Sequence, residues 1–249
     1  MIHLEITFIG CGDAFSKVLG HNSALLTFNH TNLLIDIPDS NYIRIEEIGL
    51  SYSDIDNLFI THLHGDHING LEKLAYYRKF ISPLENKDKD VSKINLYIHE
   101  SLKEGLWESA KNGLQFTNDG EKTLEDYFNV ITVADSFDIN GIKFNLIQGK
   151  HVPNMPVFGL FVENEFYYSA DSIYNSSLLQ EILPKSKKVF YDIHFYPFDI
   201  PVHASVRDFS QLAFDEKEKV YAMHYDDSKI KMTCIDGIKL VQPFQKIQI

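Results

Sequence analysis

Residues 61–67 read Thr-His-Leu-His-Gly-Asp-His, three imidazoles and a carboxylate within six positions. They follow the apolar run Leu58-Phe59-Ile60, whose residue types predict a buried strand. Imidazole and carboxylate are the ligand set of zinc and similar divalent metals. On a turn at a strand's end, His62 and His64 can face one ion while Asp66 and His67 swing toward a second. The bland alternative is a polar turn that happens to carry histidines, and it weakens if the rest of the chain supplies further donors.

The chain has 249 residues and 44% hydrophobic content, enough for one large α/β unit with a real core. The expectation is a single domain over 1–249. Its two cysteines, Cys11 and Cys234, lie far apart and form no C-x-x-C, so neither a disulfide framework nor a cysteine zinc site is expected. The opening Met-Ile-His-Leu-Glu-Ile carries no basic segment before an apolar core, and no apolar run approaches bilayer length. Together these predict a cytoplasmic protein, in the host cytoplasm if the source is viral. The net charge of −12 argues against a large nucleic-acid partner, which is normally gripped by a basic face, and no membrane partner is expected. A small anionic substrate remains compatible, because two metal ions can make one positive pocket on an acidic protein.

Alternation and apolar runs predict strands over 4–8, 24–28, 33–37, 58–61, 96–98, 130–133, 142–147, 158–162, 166–168, 189–191 and 220–223. Helical spacing predicts helices over 42–48, 71–81, 101–111, 176–183 and 206–214. Residues 82–93 read as a charged surface loop. Gly10-Cys-Gly12 hints at a dinucleotide motif but lacks its third glycine, and a tight loop is the better reading. Strands and helices in both halves suggest an α/β (α+β) architecture of two packed sheets flanked by helices.

Two metals need more donors than the heptad offers, since each zinc takes about four. His151, His194, His203 and His224 follow it near strand ends or short loops. His151 comes after an apparent strand and turn, and His224 directly ends a strand. Asp171 ends another strand, where a carboxylate can bridge two ions. Each of these alone is more often structural; their order and shared strand-end placement raise all three together.

The series His62, His64, Asp66, His67, His151, Asp171, His224 resembles the metallo-β-lactamase superfamily, over essentially the whole chain. The resemblance implies an αββα sandwich of two mixed sheets with the site at the sheet edges. It implies one metal held by His62, His64 and His151, a second by Asp66, His67 and His224, and Asp171 as the bridge. Two Zn²⁺ are implied, with Mn²⁺ as the alternative. Asp36 resembles the family's early aspartate that orients a ligand histidine.

Within the superfamily, Val202-His-Ala-Ser-Val-Arg-Asp-Phe209 resembles the segment of the ribonuclease Z branch that carries a histidine outside the ligand set. Gly10-x-Gly-Asp-Ala-Phe15, Asn22-Ser23 and Asp54-Ile-Asp56 resemble that branch as well. His203 is the candidate acid for the departing alkoxide. Asp66 is read as both ligand and orienter of the nucleophile. The departures are informative. Residues 68–150 hold no long glycine- and proline-rich tRNA-gripping arm, Tyr225-Asp-Asp227 offers no cation, and Tyr191-Asp-Ile-His194 stands where tRNA enzymes have a His-Glu pair. Short chains of this kind resemble the cyclic nucleotide phosphodiesterases of the fold, nearest the phage and bacterial anti-Pycsar enzymes.

That resemblance implies a homodimeric, dinuclear metal-dependent phosphodiesterase. Its substrates would be 3′,5′-cyclic pyrimidine mononucleotides such as cCMP and cUMP, opened by a metal-bridging hydroxide. The alternatives are a tRNA 3′-processing endonuclease, a lactonase or thioesterase on the same metals, or a non-catalytic protein that sequesters a nucleotide. The loop His194-Phe-Tyr-Pro-Phe-Asp-Ile-Pro201 is a candidate cover for the site, though its aromatics are better read as core filling.

Overall fold

The computed structural model describes residues 4–85 and 93–249. Two mixed sheets lie face to face. The first runs, in spatial order, through Lys246–Gln248, Leu4–Gly10, Ser23–Phe28, Thr31–Ile35, Asn57–Ile60, Ile94–His99 and Phe128–Val133. Its first four strands pair antiparallel, and the rest continue in parallel from Thr31–Ile35. The second has Val220–Met223, Lys188–His194 and Phe166–Tyr168 in parallel at its centre. The antiparallel strands Phe158–Val162, Ile142–Gln148 and Ser136–Ile139 extend it on one side. The sheets meet through aromatic rings. Phe8 contacts Phe190 at 5.3 Å between centroids, Phe28 contacts Phe144 at 5.7 Å, and Phe137 stacks on Tyr97 at 4.4 Å. Such pairs add to the area they bury, and here they join strands distant in sequence.

Helices cover the outer faces. The longest, Glu100–Leu114, buries Leu102, Leu106 and Leu114, and His99 Nδ1 caps it by accepting from the Ser101 N–H at 3.2 Å. Asn41–Glu47 lies near Leu4–Gly10, where Arg44 Nε donates to the Ile9 carbonyl at 2.7 Å. This is the αββα sandwich that the superfamily resemblance implied.

Several local expectations change. The helix expected over 71–81 is α-helical over Leu71–Tyr76 and widens to a π-helix over Tyr77–Ile81. The 206–214 helix is a 3₁₀ helix, Val206–Gln211, followed by a separate turn of helix, Phe214–Lys217. The intact capping box of Ser205 and Asp208 starts it, but Leu212 turns extended and ends it. Of the loop read over 82–93, Ser82–Glu85 is a helical turn, and residues 86–92 lie outside the described residues. The strand placed over 33–37 stops at Ile35, because Asp36 turns into the left-handed region at φ 60°. Asp171 does not end its strand: Phe166–Tyr168 stops three residues earlier.

The parallel strands decide where loops emerge. Thr31–Ile35 and Asn57–Ile60 run together in one sheet, and Phe166–Tyr168, Lys188–His194 and Val220–Met223 in the other. Their C-terminal ends therefore open loops along a common edge in each sheet. The sheets are tied there by a hydrogen bond from the Phe158 N–H to the Thr61 carbonyl at 3.0 Å.

Candidate metal centre

His62 lies two residues beyond the Asn57–Ile60 strand and is fully buried. Its Nε2 is 3.2 Å from His64 Nδ1, which is 3.1 Å from His151 Nε2. Asp171 Oδ2 stands 3.8 Å from both His62 Nε2 and His151 Nε2. On the other side, His67 Nε2 is 3.5 Å from Asp66 Oδ2 and 3.3 Å from Asp171 Oδ1. His224 Nε2 lies 3.4 Å from Asp66 Oδ2 and 3.4 Å from Asp171 Oδ2. The seven residues of the series come together: His62, His64, His151 and Asp171 form one group and Asp66, His67 and His224 another, while Asp171 and His224 also group with Asp192 and His203.

The tautomers can be read from what lies behind each ring. Asp36 is buried between Thr61 and His67 and accepts from the Thr61 N–H at 2.9 Å, the Thr61 hydroxyl at 2.8 Å and His67 Nδ1 at 2.7 Å. With its proton committed to Asp36, the Thr61 hydroxyl can accept from His62 Nδ1, 3.0 Å away. His151 Nδ1 donates to the Val202 carbonyl at 2.7 Å, and His224 Nδ1 faces Asp192 Oδ1 at 3.6 Å. In three rings, those of His62, His67 and His151, Nδ1 carries an outward-facing proton, and Nε2 is left facing inward. His67 Nε2 and Asp171 Oδ1 are buried there without a hydrogen bond among the described residues.

This donor set fits divalent metal. Donors about 2.0–2.1 Å from one tetrahedral ion lie about 3.3 Å from each other. Lone pairs and carboxylates brought that close repel unless protons or cations lie between them. The ionisation pattern carries the same tension. Burial, then the neighbouring His67, pushes His62 well below the ordinary imidazole range. Burial opposes charge on His67 too, but Asp171 and Asp36 outweigh it and hold it well above that range. Burial would raise Asp171, yet His224 and His67 keep it well below the usual carboxylate range.

His203 stands beside both groups. Its ring centroid is 4.9 Å from that of His151 and 5.0 Å from that of His224. Its Nδ1 donates to Asp192 Oδ2 at 2.6 Å, which leaves Nε2 without a partner among the described residues. Burial opposes its protonation, but the Asp192 carboxylate prevails and raises its pKa.

Asp192 was missed in the sequence. It is fully buried, also accepts from the Ser172 N–H at 2.9 Å, and serves His203 and His224 together. A strand-end acid in Tyr191-Asp-Ile-His194 was a visible signal, of the same kind that singled out Asp171. That segment departs in residue type from the His-Glu pair of the tRNA enzymes, yet Asp192 places a carboxylate behind His203.

Three of these positions have strained backbones. Asp36, Ala170 and His224 have φ of 60°, 56° and 59°, unfavourable for residues with a Cβ. Ala170 reorients the chain immediately before Asp171. The Gly10-Cys-Gly12 loop is a close-packing device: a Cβ on Gly10 would sit 2.2 Å from the His21 carbonyl oxygen. The loop ahead is tied down by Asp227, which accepts from the Ser16 hydroxyl at 2.5 Å and from the backbone N–H groups of Lys17, Val18 and Leu19. The aromatics of 194–201 divide. Phe195 packs against the core, as expected, whereas Phe198 is 59% exposed.

Comparison with known proteins agrees with the architecture. The metallo-β-lactamase fold protein YhfI from Bacillus subtilis superposes with a TM-score of 0.74 at 14% identity, covering 99% of each chain. The curated Anti-Pycsar protein Apyc1 of Paenibacillus sp. (strain J14) is 33% identical over 231 residues, 90% of each chain. That of Bacillus phage vB_BsuM-Goe3 is 34% identical over 242 residues, again 90% of each. The family described as Anti-Pycsar protein Apyc1 matches residues 4–245. A chain with this fold, this donor cluster and these relatives belongs to the Anti-Pycsar Apyc1 family.

Proposed function

We propose that this protein is a metal-dependent phosphodiesterase that opens small 3′,5′-cyclic nucleotides, cyclic pyrimidine mononucleotides among them. The biological role is removal of a cyclic nucleotide defence signal in the cytoplasm, and the enzyme acts as a homodimer. The observation that carries this reading is the donor cluster in which Asp171 lies between His62 and His151 on one side and His67 and His224 on the other, with the ring centroid of the acid His203 within 5.0 Å of those of His151 and His224. His62, His64 and His151 would hold one ion, Asp66, His67 and His224 the other, and Asp171 both. When bound, the ions neutralise phosphoryl oxygens and lower the pKa of water to supply the nucleophile.

The chain's own groups do the rest. Asp36 and Thr61 fix the rings of His67 and His62, so the donors need not reorganise. Asp66 lies between His67 and His224, where it also orients the nucleophile. His203 offers Nε2–H to the departing ribose oxygen, and Asp192 stabilises the proton it holds. Acyl transfer expels better leaving groups and has less need of such an acid. The cavity beside the centre has a volume of about 350 Å³, the scale of a small ligand. With a net charge of −12, this favours a mononucleotide over folded RNA.

The test is a substrate panel on purified protein of measured metal content: cyclic mononucleotides, an aryl phosphodiester, a thioester, a lactone and pre-tRNA. Cyclic nucleotides are expected to open to linear monophosphates. Turnover confined to the thioester or lactone would overturn the reading. Tight binding of cyclic nucleotide without turnover in zinc or manganese would point to sequestration.

A further inference from the structure

The turn that carries Asp171 is gripped at both ends by one residue of the neighbouring strand. Phe166–Tyr168 pairs in parallel with Lys188–His194, Tyr168 opposite Phe190, and the Ser169 N–H continues the ladder to the Phe190 carbonyl at 2.9 Å. Beyond Ser169 the contacts pass to Asp192. Its backbone N–H donates to Ser169 Oγ at 3.0 Å, and its Oδ2 accepts from the Ser172 N–H at 2.9 Å. Ala170 and Asp171 lie between these two bonds. Ser169, Ala170 and Asp192 are fully buried, and Asp171 and Ser172 nearly so. The polar groups of this turn therefore depend on one another rather than on water.

Ala170 is the strained point of the turn. Its φ of 56° lies in the left-handed region, which a residue with a Cβ keeps only where its surroundings over-determine it. Glycine would take the same conformation without that cost. The Ser169 hydroxyl donates to the Ala170 carbonyl at 2.6 Å. That carbonyl shares a rigid peptide plane with the Asp171 N–H, so the bond fixes the plane from which the Asp171 side chain departs. A hydroxyl has one proton to give, and the Asp192 N–H occupies its oxygen from another direction. The same Asp192 accepts from His203 Nδ1 at 2.6 Å. One buried network thus runs from the Asp171 turn to the acid.

We propose that Ser169 is a positioning residue, whose hydroxyl locks the left-handed turn at Ala170 and so aims the Asp171 carboxylate into the donor cluster. Ser169 acts through Asp171, not on a substrate. Without the hydroxyl, Ala170 relaxes toward negative φ by turning the peptides on either side of it. Asp171 then leaves the place where it stands 3.8 Å from His62 Nε2 and 3.3 Å from His67 Nε2. The Asp192 N–H loses its acceptor at the same time, which loosens the residue that holds His203. The inference rests on the reading of Asp171 as the carboxylate shared by two ions.

Its test reads zinc affinity by competition with a chromophoric chelator, beside turnover of cyclic nucleotides at saturating zinc. Ser169→Ala should weaken zinc binding by about tenfold or more, the range found for groups that orient a metal ligand. On cyclic nucleotides kcat should fall by about tenfold, with KM within about twofold of wild type. Glycine needs no lock, so the loss on removing the hydroxyl should be smaller by about threefold or more in an Ala170→Gly background. A hydroxyl that merely supports the fold would cost the same in both backgrounds. Wild-type zinc affinity in Ser169→Ala overturns the positioning role, and so does an equal loss in the two backgrounds. Should Ser169→Ala not fold, recovery of fold and zinc binding in Ser169→Ala/Ala170→Gly supports the role, and no recovery overturns it. If the zinc affinities follow this order but no cyclic nucleotide is hydrolysed by the wild type, the function falls and the role stands. If cyclic nucleotides are hydrolysed and Ser169→Ala matches wild type in both readouts, the role falls and the function stands.

Discussion

The histidines of the cluster are set by what stands behind them. Asp36 orients His67 directly and His62 through Thr61. Asp36→Asn keeps the shape but removes the acceptor strength, and we expect metal affinity to fall about 10–100-fold, measured by competition with a chromophoric chelator. His203 is separable from the ligands in function. His203→Ala should lower kcat on cyclic nucleotides by about 100-fold or more while metal content stays at the wild-type value. Wild-type turnover in that variant would remove His203 from the mechanism. Asp227 shows how an acid read only as a missing cation has a structural task. Burial would raise its pKa, but the Ser16 hydroxyl and the 17–19 amides together outweigh burial and hold it below the ordinary value. A depressed folded-state pKa means that its contribution is present above the unfolded value, about 3.9, and is lost as pH falls through the folded one. Asp227→Asn should therefore lower Tm at pH 7 by about 2–4 °C, with the gap from wild type closing in acid.

Elements matter here through their ends and through the faces they bury. Phe137, on the strand Ser136–Ile139, stacks with Phe59, Tyr97 and Phe144, and so joins both sheets. Phe137→Ala should cost about 3–5 kcal/mol in denaturant unfolding, because one ring leaves three neighbours without contact. A cost below about 1 kcal/mol would mean that the sheets can close over the gap. Strand ends explain the site itself. The C-terminal ends of parallel strands converge at one edge, so short loops bring His62 and His224 near Asp192, which lies within Lys188–His194. The periodicity of 71–81 and 206–214 marked the buried sides of both segments. It could not distinguish α from π or 3₁₀ winding, because all three can bury residues three or four apart.

At the scale of the molecule, the centre is a junction between the two halves. His62, His64, Asp66 and His67 come from the first sheet's loops, and His151, Asp171 and His224 from the second's. Bound metal should therefore stabilise the whole fold by mass action. Chelation is expected to lower Tm by several degrees, with recovery complete at two equivalents of zinc or manganese by scanning calorimetry. Saturation at one equivalent would contradict the two-ion reading. Loading should weaken as pH falls through the imidazole range, because protons compete for the same lone pairs.

In the sequence, apolar runs and the imidazoles of 61–67 are local signals, and they carried the two-sheet pattern and the first half of the cluster; the αββα sandwich and the full seven-residue series came from the resemblance to a known superfamily. It also flagged Asp36 and His203. Asp192 was legible only as an acid near a strand's end, and Thr61 and the Val202 carbonyl were not legible as partners of the histidines. Each acts through a partner brought near only by the packing of two sheets, and hydrogen-bond partners distant in sequence leave no local pattern. The left-handed backbones at Asp36, Ala170 and His224 belong to the same class. No residue type there announces them, and only the surrounding tertiary contacts hold the chain in that conformation. The exposure of Phe198 was likewise decided by what does not pack against it.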